Sequence, residues 1–284
     1  RILASGAHDQ VWPEGAPAPS GHWNTEALDW AQYSCIRYAT PWAVGRQTVD
    51  NASWDILGVL RAQAAHNRMT ARTEVVLAKA LNVSNWPAGH TDTATSLGGA
   101  KWDAGTTANP SIKKSLLRIA QIINKSTLGV VTITDLVLVI SPEAATRMAS
   151  SEEIHSYVKE SPFALAQLRG DVESQNGVWG LPDMLYGFRV VVEDAVKITL
   201  PKGASPNNQY IMDSDKALVL ARPGGLVSYG GPNFSTIHCF FFEEMVAEEK
   251  YDEDNRLYRG RIIDNFAVEI VSPVSGFLVQ DILT

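Results

Sequence analysis

SLGGAKWDAGTTANPSIKKSLLRIAQIINKSTLGVVTITDLVLVISPEAATRM, residues 96–148, predicts a loop, a helix, a buried strand and a second helix. Asn109 can cap a helix, and the proline after it suits the first helical position, where the N–H needs no partner. Apolar residues then recur at helical spacing until Gly129, which can end a helix in the left-handed conformation. Leu136–Ile140 is a continuous apolar run, typical of a strand covered on both faces. Ser141–Glu143 combines a capping residue, a proline and an acid, and so predicts the next helix start.

The composition is that of a folded globular protein. The chain has 284 residues, of which 45% are hydrophobic and 19% charged. Its net charge of −7 argues against a protein that coats nucleic acid through phosphate contacts. Cys35 and Cys239 fit no metal-ligand spacing and are interpreted as reduced thiols. No apolar run approaches the roughly 20 residues that cross a bilayer, so we expect no membrane partner.

The sequence carries no recognisable catalytic motif. It has no phosphate-binding loop, no dinucleotide fingerprint, no paired-histidine zinc motif and no nucleophile elbow. Glu152, Glu153 and His155 could suggest a metal site, but a solvated helix face is the simpler interpretation. The acidic segment Glu248–Asn255 could suggest calcium binding, although it lacks the glycine of an EF-hand loop and a solvated hairpin tip fits better. We therefore predict no catalytic residue, no cofactor and no metal.

The N-terminal segment lacks periodicity but contains large apolar residues. Residues 1–28 are rich in Pro, Gly and Ala, a composition that does not order itself. Trp12 and Trp23 are nevertheless present, and a flexible tail would usually lack them. We expect this segment to be ordered by its own domain or by a neighbouring subunit.

The remaining elements follow from local patterns. Residues 29–49 alternate aromatic or β-branched and polar residues around Thr40-Pro41, which predicts a two-stranded hairpin. Residues 50–82 show the longest helical pattern, with Asp50 or Asn51 as the cap. Further strands are predicted over 189–193, 209–212, 217–221, 236–244, 257–271 and 277–283.

The order of these elements resembles that of HK97-type major capsid proteins of tailed double-stranded DNA bacteriophages. Local likeness lies in LGGAKWD, DLVLVISPEAATRM, LYGFRVVVEDA and LYRGRIIDNFAVEIVSPVSGFLV. The resemblance implies an α+β fold with long antiparallel strands and a central sheet flanked by helices. Its parts would be an N-terminal arm (1–28), an E-loop hairpin (29–49), a P-domain (50–108 and 226–284, with a spine helix over 50–82) and an A-domain (109–225).

This resemblance implies a structural protein rather than an enzyme. Copies would assemble as hexamers and pentamers into the icosahedral head shell of a virion, in the cytoplasm of the host. The shell would enclose double-stranded DNA without sequence-specific binding. Further partners would be a portal, a scaffolding protein or segment, and a decoration protein. A start at Arg1 without methionine is expected from N-terminal processing or from trimming.

The arm and the E-loop are expected to bind a neighbouring subunit by packing and charge. Some family members instead crosslink through an E-loop lysine, but no lysine precedes Lys79, so we predict a shell without that bond. The alternatives are an encapsulin-type compartment loaded with cargo, a soluble α/β enzyme with an unrecognised site, or a sugar- or peptide-binding module. The predicted inter-subunit contact residues are Trp12, Trp23, Ile36, Arg37, Tyr38, Trp42 and Arg46.

Overall fold

A computed structural model describes residues 33–171, 173–198, 208–222 and 235–284. In chain order the helices are α1 (Arg46–Asp50), α2 (Ile56–Ala80), α3 (Ala94–Gly98), α4 (Ser111–Ser126), α5 (Pro142–Ala149), α6 (Glu152–Glu160) and α7 (Pro162–Arg169). The strands are β1 (Ile36–Gly45), β2 (Thr91–Thr93), β3 (Leu136–Ile140), β4 (Met184–Leu185), β5 (Phe188–Val192), β6 (Val196–Ile198), β7 (Asn208–Tyr210), β8 (Lys216–Ala221), β9 (Ile237–Asp252), β10 (Leu257–Ile270) and β11 (Phe277–Gln280). The predicted arm, with Trp12 and Trp23, lies outside the described residues.

A long three-stranded antiparallel sheet has the order β1-β10-β9. β9 and β10 form a hairpin whose register shifts on both sides of Asn265. Opposite this irregularity Met245 has a φ of 50°, which lies in the left-handed region and fits a β-bulge. The 25-residue helix α2 lies along the sheet and contacts β1 and β10. Together, α2 and this sheet form what we call the sheet region.

A six-stranded sheet has the order β2-β11-β8-β3-β5-β4 and carries the main apolar core. β3 lies inside it, parallel to β5 and antiparallel to β8, as its unbroken apolar run predicts. Fully buried residues from the helices and the strands fill the core, and we call this part the lobe. They include Trp102, Ile112, Leu116, Ile123, Leu138, Phe188 and Phe277. β6 and β7 form a separate two-stranded sheet.

Residues 96–148 fold largely as predicted. The Ser141 side chain accepts a hydrogen bond from the backbone N–H of Ala144 at the start of α5. Gly129 adopts a φ of 80° after α4, and its N–H bonds the Asn124 carbonyl. The predicted Asn109 cap is wrong, because α4 begins at Ser111 without a side-chain cap from its own flank.

Two further predictions need correction. Instead of the predicted hairpin over 29–49, Ile36–Gly45 forms one strand that continues through Thr40-Pro41, and the helical turn Arg46–Asp50 follows it, so the chain does not reverse there. The strand instead pairs with β10, more than two hundred residues along the chain, which local patterns do not reveal. The long helix begins at Ile56 rather than near Asp50, and Asp55 caps it by accepting from the Gly58 N–H.

Segments of the predicted P-domain and A-domain share one sheet, and the division into these domains stays a prediction. β2 and β11 belong to the predicted P-domain segments, yet they are strands of the same sheet as β3, β5 and β8. β11 pairs with both β2 and β8, and so joins the C-terminal segment to the lobe. Among the described residues, no helix is long and apolar enough to cross a membrane.

Candidate assembly surfaces

β1 is an edge strand, and it carries four of the predicted contact residues. Among the described residues it pairs with β10 on one side only, and none of them pairs with the backbone groups of its other edge. Ile36 at its start is 56% exposed. The exposed Arg37 lies 3.9 Å from a Glu243 carboxylate oxygen, an ion pair within the same chain. The free edge, Ile36 and Arg37 are therefore accessible to another molecule.

Tyr38 and Trp42 are only partly exposed because they pack on their own sheet. The Tyr38 ring lies 5.2 Å from the ring of Phe266, centroid to centroid. Trp42 covers Gly260, where a Cβ atom would lie only 2.2 Å from the indole Cζ2. Glycine at 260 is therefore needed for this close approach. The two aromatic residues stabilise β1 against β10 and contribute only part of their surface to the outside.

Arg46 ties the end of β1 to the β9–β10 hairpin. Its Nε donates to an Asp50 carboxylate oxygen at 3.3 Å, and its Nη1 to the Tyr251 hydroxyl at 3.4 Å. The Tyr251 contact and the Asp50 charge raise the pKa of Arg46, whose side chain stays exposed. The structure therefore brings five of the seven predicted residues together along β1. Their contact with a neighbouring subunit stays a prediction.

The other edge of the sheet carries apolar residues. In the part of the chain that the structure describes, β9 pairs with β10 alone. Near its bulge Phe242 is 74% exposed and Val246 41% exposed. Such side chains beside a free strand edge are typical of surfaces that another chain covers. The sequence predicts β9 as a strand but does not show that it is an edge.

A buried ion cluster joins α2 to the sheet, and sequence reasoning missed it. The carboxylate of Asp264 is fully buried and accepts two hydrogen bonds from Arg72, both at 2.9 Å. Arg68 is 5% exposed, and its Nε lies 3.7 Å from the same carboxylate. Its guanidinium also lies 4.8 Å from the centre of the Tyr38 ring. The buried carboxylate of Asp264 is thus the counter-charge of both Arg68 and Arg72.

The electrostatics of the two arginines differ. Burial lowers the pKa of Arg68, although the negative charge of Asp264 opposes this. The hydrogen bonds that Arg72 donates to Asp264 raise the pKa of Arg72. Within the described part of the chain, the Arg68 Nε and Nη2 atoms have no hydrogen-bond partner. The one sequence signal for the cluster is that Arg68 interrupts the apolar stripe of α2.

Further arginine–acid pairs run along the hairpin. Arg72 also donates to the exposed Glu244 at 3.2 Å. Three other pairs link β9 to α2 and β10, namely Arg61–Glu249, Arg259–Asp252 and Arg261–Glu248. The acidic segment that could suggest calcium binding is therefore largely paired with arginines of its own chain.

Glu153 has a structural role and is not the metal ligand that the neighbouring Glu152 and His155 could suggest. Its buried carboxylate accepts from the backbone N–H groups of Ile112 and Lys113, at 3.0 and 2.8 Å. It therefore caps α4 from α6, which explains why α4 needs no cap of its own. The Tyr186 hydroxyl donates to the same carboxylate at 3.0 Å, and burial together with this charge raises the pKa of Tyr186. Across the described ranges, no group of three acidic, histidine or cysteine side chains could hold a metal ion.

Comparison with solved structures identifies the fold. A phage-related protein from Bordetella bronchiseptica matches with a TM-score of 0.60 at 16% identity, over 92% of this chain and 82% of that chain. A capsid structure of the cyanophage P-SCSP1u matches with a TM-score of 0.54 at 12% identity, over 94% of this chain and 80% of that chain. A Mycobacterium phage Che8 structure matches with a TM-score of 0.52 at 16% identity, over 88% of this chain and 72% of that chain. No protein-family model and no curated protein matches the sequence.

This chain therefore has the HK97-type α+β capsid fold that its sequence predicts. At these identities, the likeness establishes the fold alone.

Proposed function

We propose that the protein is the major capsid protein of a tailed bacteriophage, whose copies assemble into the head shell around double-stranded DNA. The observation that carries this proposal is the match to the cyanophage capsid over 94% of the chain. The match extends over both the sheet region and the lobe rather than one common α/β unit. The proposal includes four further features that rest only on the likeness of fold. They are assembly through hexamers and pentamers, assembly in the host cytoplasm, N-terminal processing, and portal, scaffolding and decoration proteins as partners.

The free edges of the sheet region support a role in assembly. A solitary protein usually protects such edges, since they invite pairing with other chains. Within residues 33–171, 173–198, 208–222 and 235–284, neither outer strand has a second partner strand, and Ile36 and Phe242 are exposed beside them. We infer that neighbouring copies cover these edges in the shell. Ile36, Arg37 and Arg46 are the described residues of the predicted set that are exposed enough for this contact.

The test is to express the protein and examine it by sedimentation velocity and negative-stain electron microscopy. Closed particles of uniform size are expected. A monomer or small oligomer at every protein and salt concentration would contradict the proposal and favour a soluble α/β protein. The contents of particles purified from an infected host then separate two kinds of shell: DNA supports a phage head, and an enzyme cargo supports an encapsulin-type compartment.

The shell is expected to lack lysine-based crosslinks between subunits. Residues 1–78 contain no lysine, and the Lys79 amine is bound to the Val268 carbonyl and to a Glu269 oxygen, each at 2.7 Å. Denaturing electrophoresis of intact particles should therefore show one band near 30.9 kDa. A ladder of multiples would overturn this part of the proposal.

The contact role of β1 is tested on the same particles. Ile36→Asp places a charge beside the free edge, and particles of this variant should fall apart at a lower temperature than the parent's. Ala39→Asp, on the same strand and also exposed, is the matched control for charge and fold. Equal heat resistance of the Ile36→Asp and parent particles would exclude Ile36 from the contact.

A further inference from the structure

Residues 281–284 follow β11 and are bound by three other segments of the chain, much as a peptide is bound in a groove. All six main-chain N–H and C=O groups of residues 282–284 have a hydrogen-bond partner. Four of these six partners are charged side chains, whereas neighbouring strands in a sheet bind through their backbones. We call residues 281–284 the docked segment. The groove that binds it consists of Lys101, Trp102, Asp103, Arg147 and Asp215.

Ile282 and Leu283 are anchored by their main chain and by their side chains. The Ile282 N–H donates to the Asp215 carbonyl at 3.3 Å, and the Ile282 carbonyl accepts from the Trp102 N–H at 2.8 Å. The Leu283 N–H donates to Asp215 Oδ1 at 3.2 Å, and Lys101 Nζ donates to the Leu283 carbonyl. Both aliphatic side chains are buried, that of Ile282 completely. Main-chain hydrogen bonds combined with pockets for side chains are the features by which proteins recognise peptides.

Thr284 is exposed, yet two charged side chains hold it. Asp103 Oδ2 accepts from the Thr284 N–H at 3.0 Å and also from the Thr284 hydroxyl. Arg147 Nη1 donates to the Thr284 carbonyl at 3.0 Å. Asp103 Oδ1 is buried and has no hydrogen-bond partner in the described part of the chain. The groove therefore has one acceptor that the docked segment leaves unused.

The docked segment is set apart from β11 and borders solvent on one side. Asp281 has a φ of 54°, a left-handed conformation that costs free energy for a residue with a side chain. Its carboxylate accepts from Lys101 Nζ at 2.6 Å. A cavity of about 360 Å³ lies beside the segment and is lined in part by Glu143, Ser214 and Thr284. The groove is therefore reached from solvent along this side.

We propose that the groove is a peptide-recognition site. Its own chain occupies it with residues 281–284, and it binds a peptide of the same sequence in trans once that segment is displaced. The ligand class is a peptide with two adjacent aliphatic residues followed by a hydroxyl residue, because the aliphatic pair fills the buried positions and the hydroxyl meets Asp103. The inference does not rest on the proposed shell function, which makes no use of this site.

The test measures the binding of a fluorescein-labelled peptide of residues 280–284 by fluorescence anisotropy. Leu283→Ser in the full chain weakens the docked segment, because it removes an aliphatic side chain from the groove. Thr284→Pro is a milder variant that removes the two donors to Asp103. A tethered segment competes at an effective concentration on the order of mM, so the parent should bind the peptide at least about tenfold more weakly than Leu283→Ser does.

Three controls separate binding in the groove from binding to a loosened protein. Leu138→Ala weakens the core of the same lobe but leaves the docked segment in place, so this variant should not bind the peptide. In the Leu283→Ser chain, Lys101→Met with Arg147→Met removes the donors to two peptide carbonyls and should weaken binding at least about tenfold. A peptide of the same composition in scrambled order should not bind.

The folded state is followed in the same experiments. Circular dichroism reports whether each variant folds, and bound peptide should raise the Tm of Leu283→Ser because only the folded groove binds it. If Leu283→Ser does not fold, Thr284→Pro takes its place in each comparison.

Each contrary result is decisive. Equal peptide affinities of the parent and Leu283→Ser would mean that the peptide binds elsewhere and would overturn the proposal. Binding that survives Lys101→Met with Arg147→Met would overturn it too. If the folded variants do not bind the peptide at all, residues 281–284 are only a part of the fold and the groove recognises no peptide. None of these results bears on shell formation, which sedimentation of the parent tests separately.

Discussion

The sheet region and the lobe are stabilised by different kinds of contact. In the lobe, α4 buries six of its 16 residues, and Ile112, Leu116, Ile119 and Ile123 are completely covered. In the sheet region, α2 buries only four of its 25 residues, and one of these is the charged Arg68. The lobe thus has a densely packed apolar core of its own. The sheet region leaves apolar and backbone groups open, and this incompleteness is expected of a part that other copies cover.

The largest predicted effect is at the buried ion cluster. Asp264→Asn leaves Arg68 and Arg72 without a buried counter-charge, and breaking such a pair costs about 3–5 kcal/mol of unfolding free energy. Chemical denaturation of the unassembled subunit, followed by circular dichroism, measures this loss.

Two controls sharpen that measurement. Arg68→Met removes the second cation but keeps the two Arg72–Asp264 hydrogen bonds, so it should change stability by less than about 1 kcal/mol. Glu244→Gln alters only the exposed partner of Arg72 and should be similarly mild. Equal losses in Asp264→Asn and Arg68→Met would contradict the one-acid, two-arginine account.

The next effect concerns the apolar core of the lobe. Leu138 on β3 is completely buried, and Leu138→Ala should cost about 2–5 kcal/mol through lost burial and the cavity left behind. Leu117→Ala, at an exposed position of α4, is the matched control and should cost far less. A loss below about 1 kcal/mol for Leu138→Ala would show that the lobe is not the tightly packed unit described above.

A smaller effect is expected at the cap between α6 and α4. Glu153→Gln removes the charge that accepts from two backbone N–H groups of α4 and from Tyr186, at a cost of about 1–3 kcal/mol. Glu152→Gln, on the exposed neighbour, provides the comparison in the same denaturation experiment. If both variants lose the same stability, Glu153 is not the cap of α4.

The smallest effect should come from the surface pairs of the hairpin. Arg261 and Glu248 are both about half exposed, and such pairs contribute between zero and about 1 kcal/mol. Arg261→Ala should therefore leave subunit stability almost unchanged at any salt concentration. A loss above about 2 kcal/mol would mean that the hairpin depends on its ion pairs more than solvent screening allows.

Local sequence patterns predict the lobe well and the sheet region poorly. The proline at 142, the glycine at 129 and the apolar run 136–140 each report a conformation set by neighbouring residues, and the structure confirms all three. The partner of β1 is β10, and Arg72 meets Asp264 from 192 positions away. No local pattern encodes contacts at such separation.

Asp264 and Glu153 were also not predicted correctly, because their partners are distant in the sequence. Asp264 lies in β10 beside the register shift. An acid in a strand normally indicates a solvent face, and the burial of Asp264 depends on where α2 packs. The sequence could suggest that Glu153 is a metal ligand, because an acid and a histidine lie near it. Its actual partners are backbone groups of α4, which precede it by about forty residues. The role of the β1 residues in subunit contact stays a prediction, and the sequence does not show that Tyr38 and Trp42 pack on their own chain.

Hydrogen exchange, compared between unassembled subunits and purified shells, tests the central claim most directly. That claim is that neighbouring copies complete the sheet region, whereas the apolar core of the lobe forms within one copy. Assembly should slow the exchange of backbone amides on the free edges of β1 and β9 and leave β3 unchanged. Equal exchange of the β1 and β9 amides in shells and in free subunits would contradict the account.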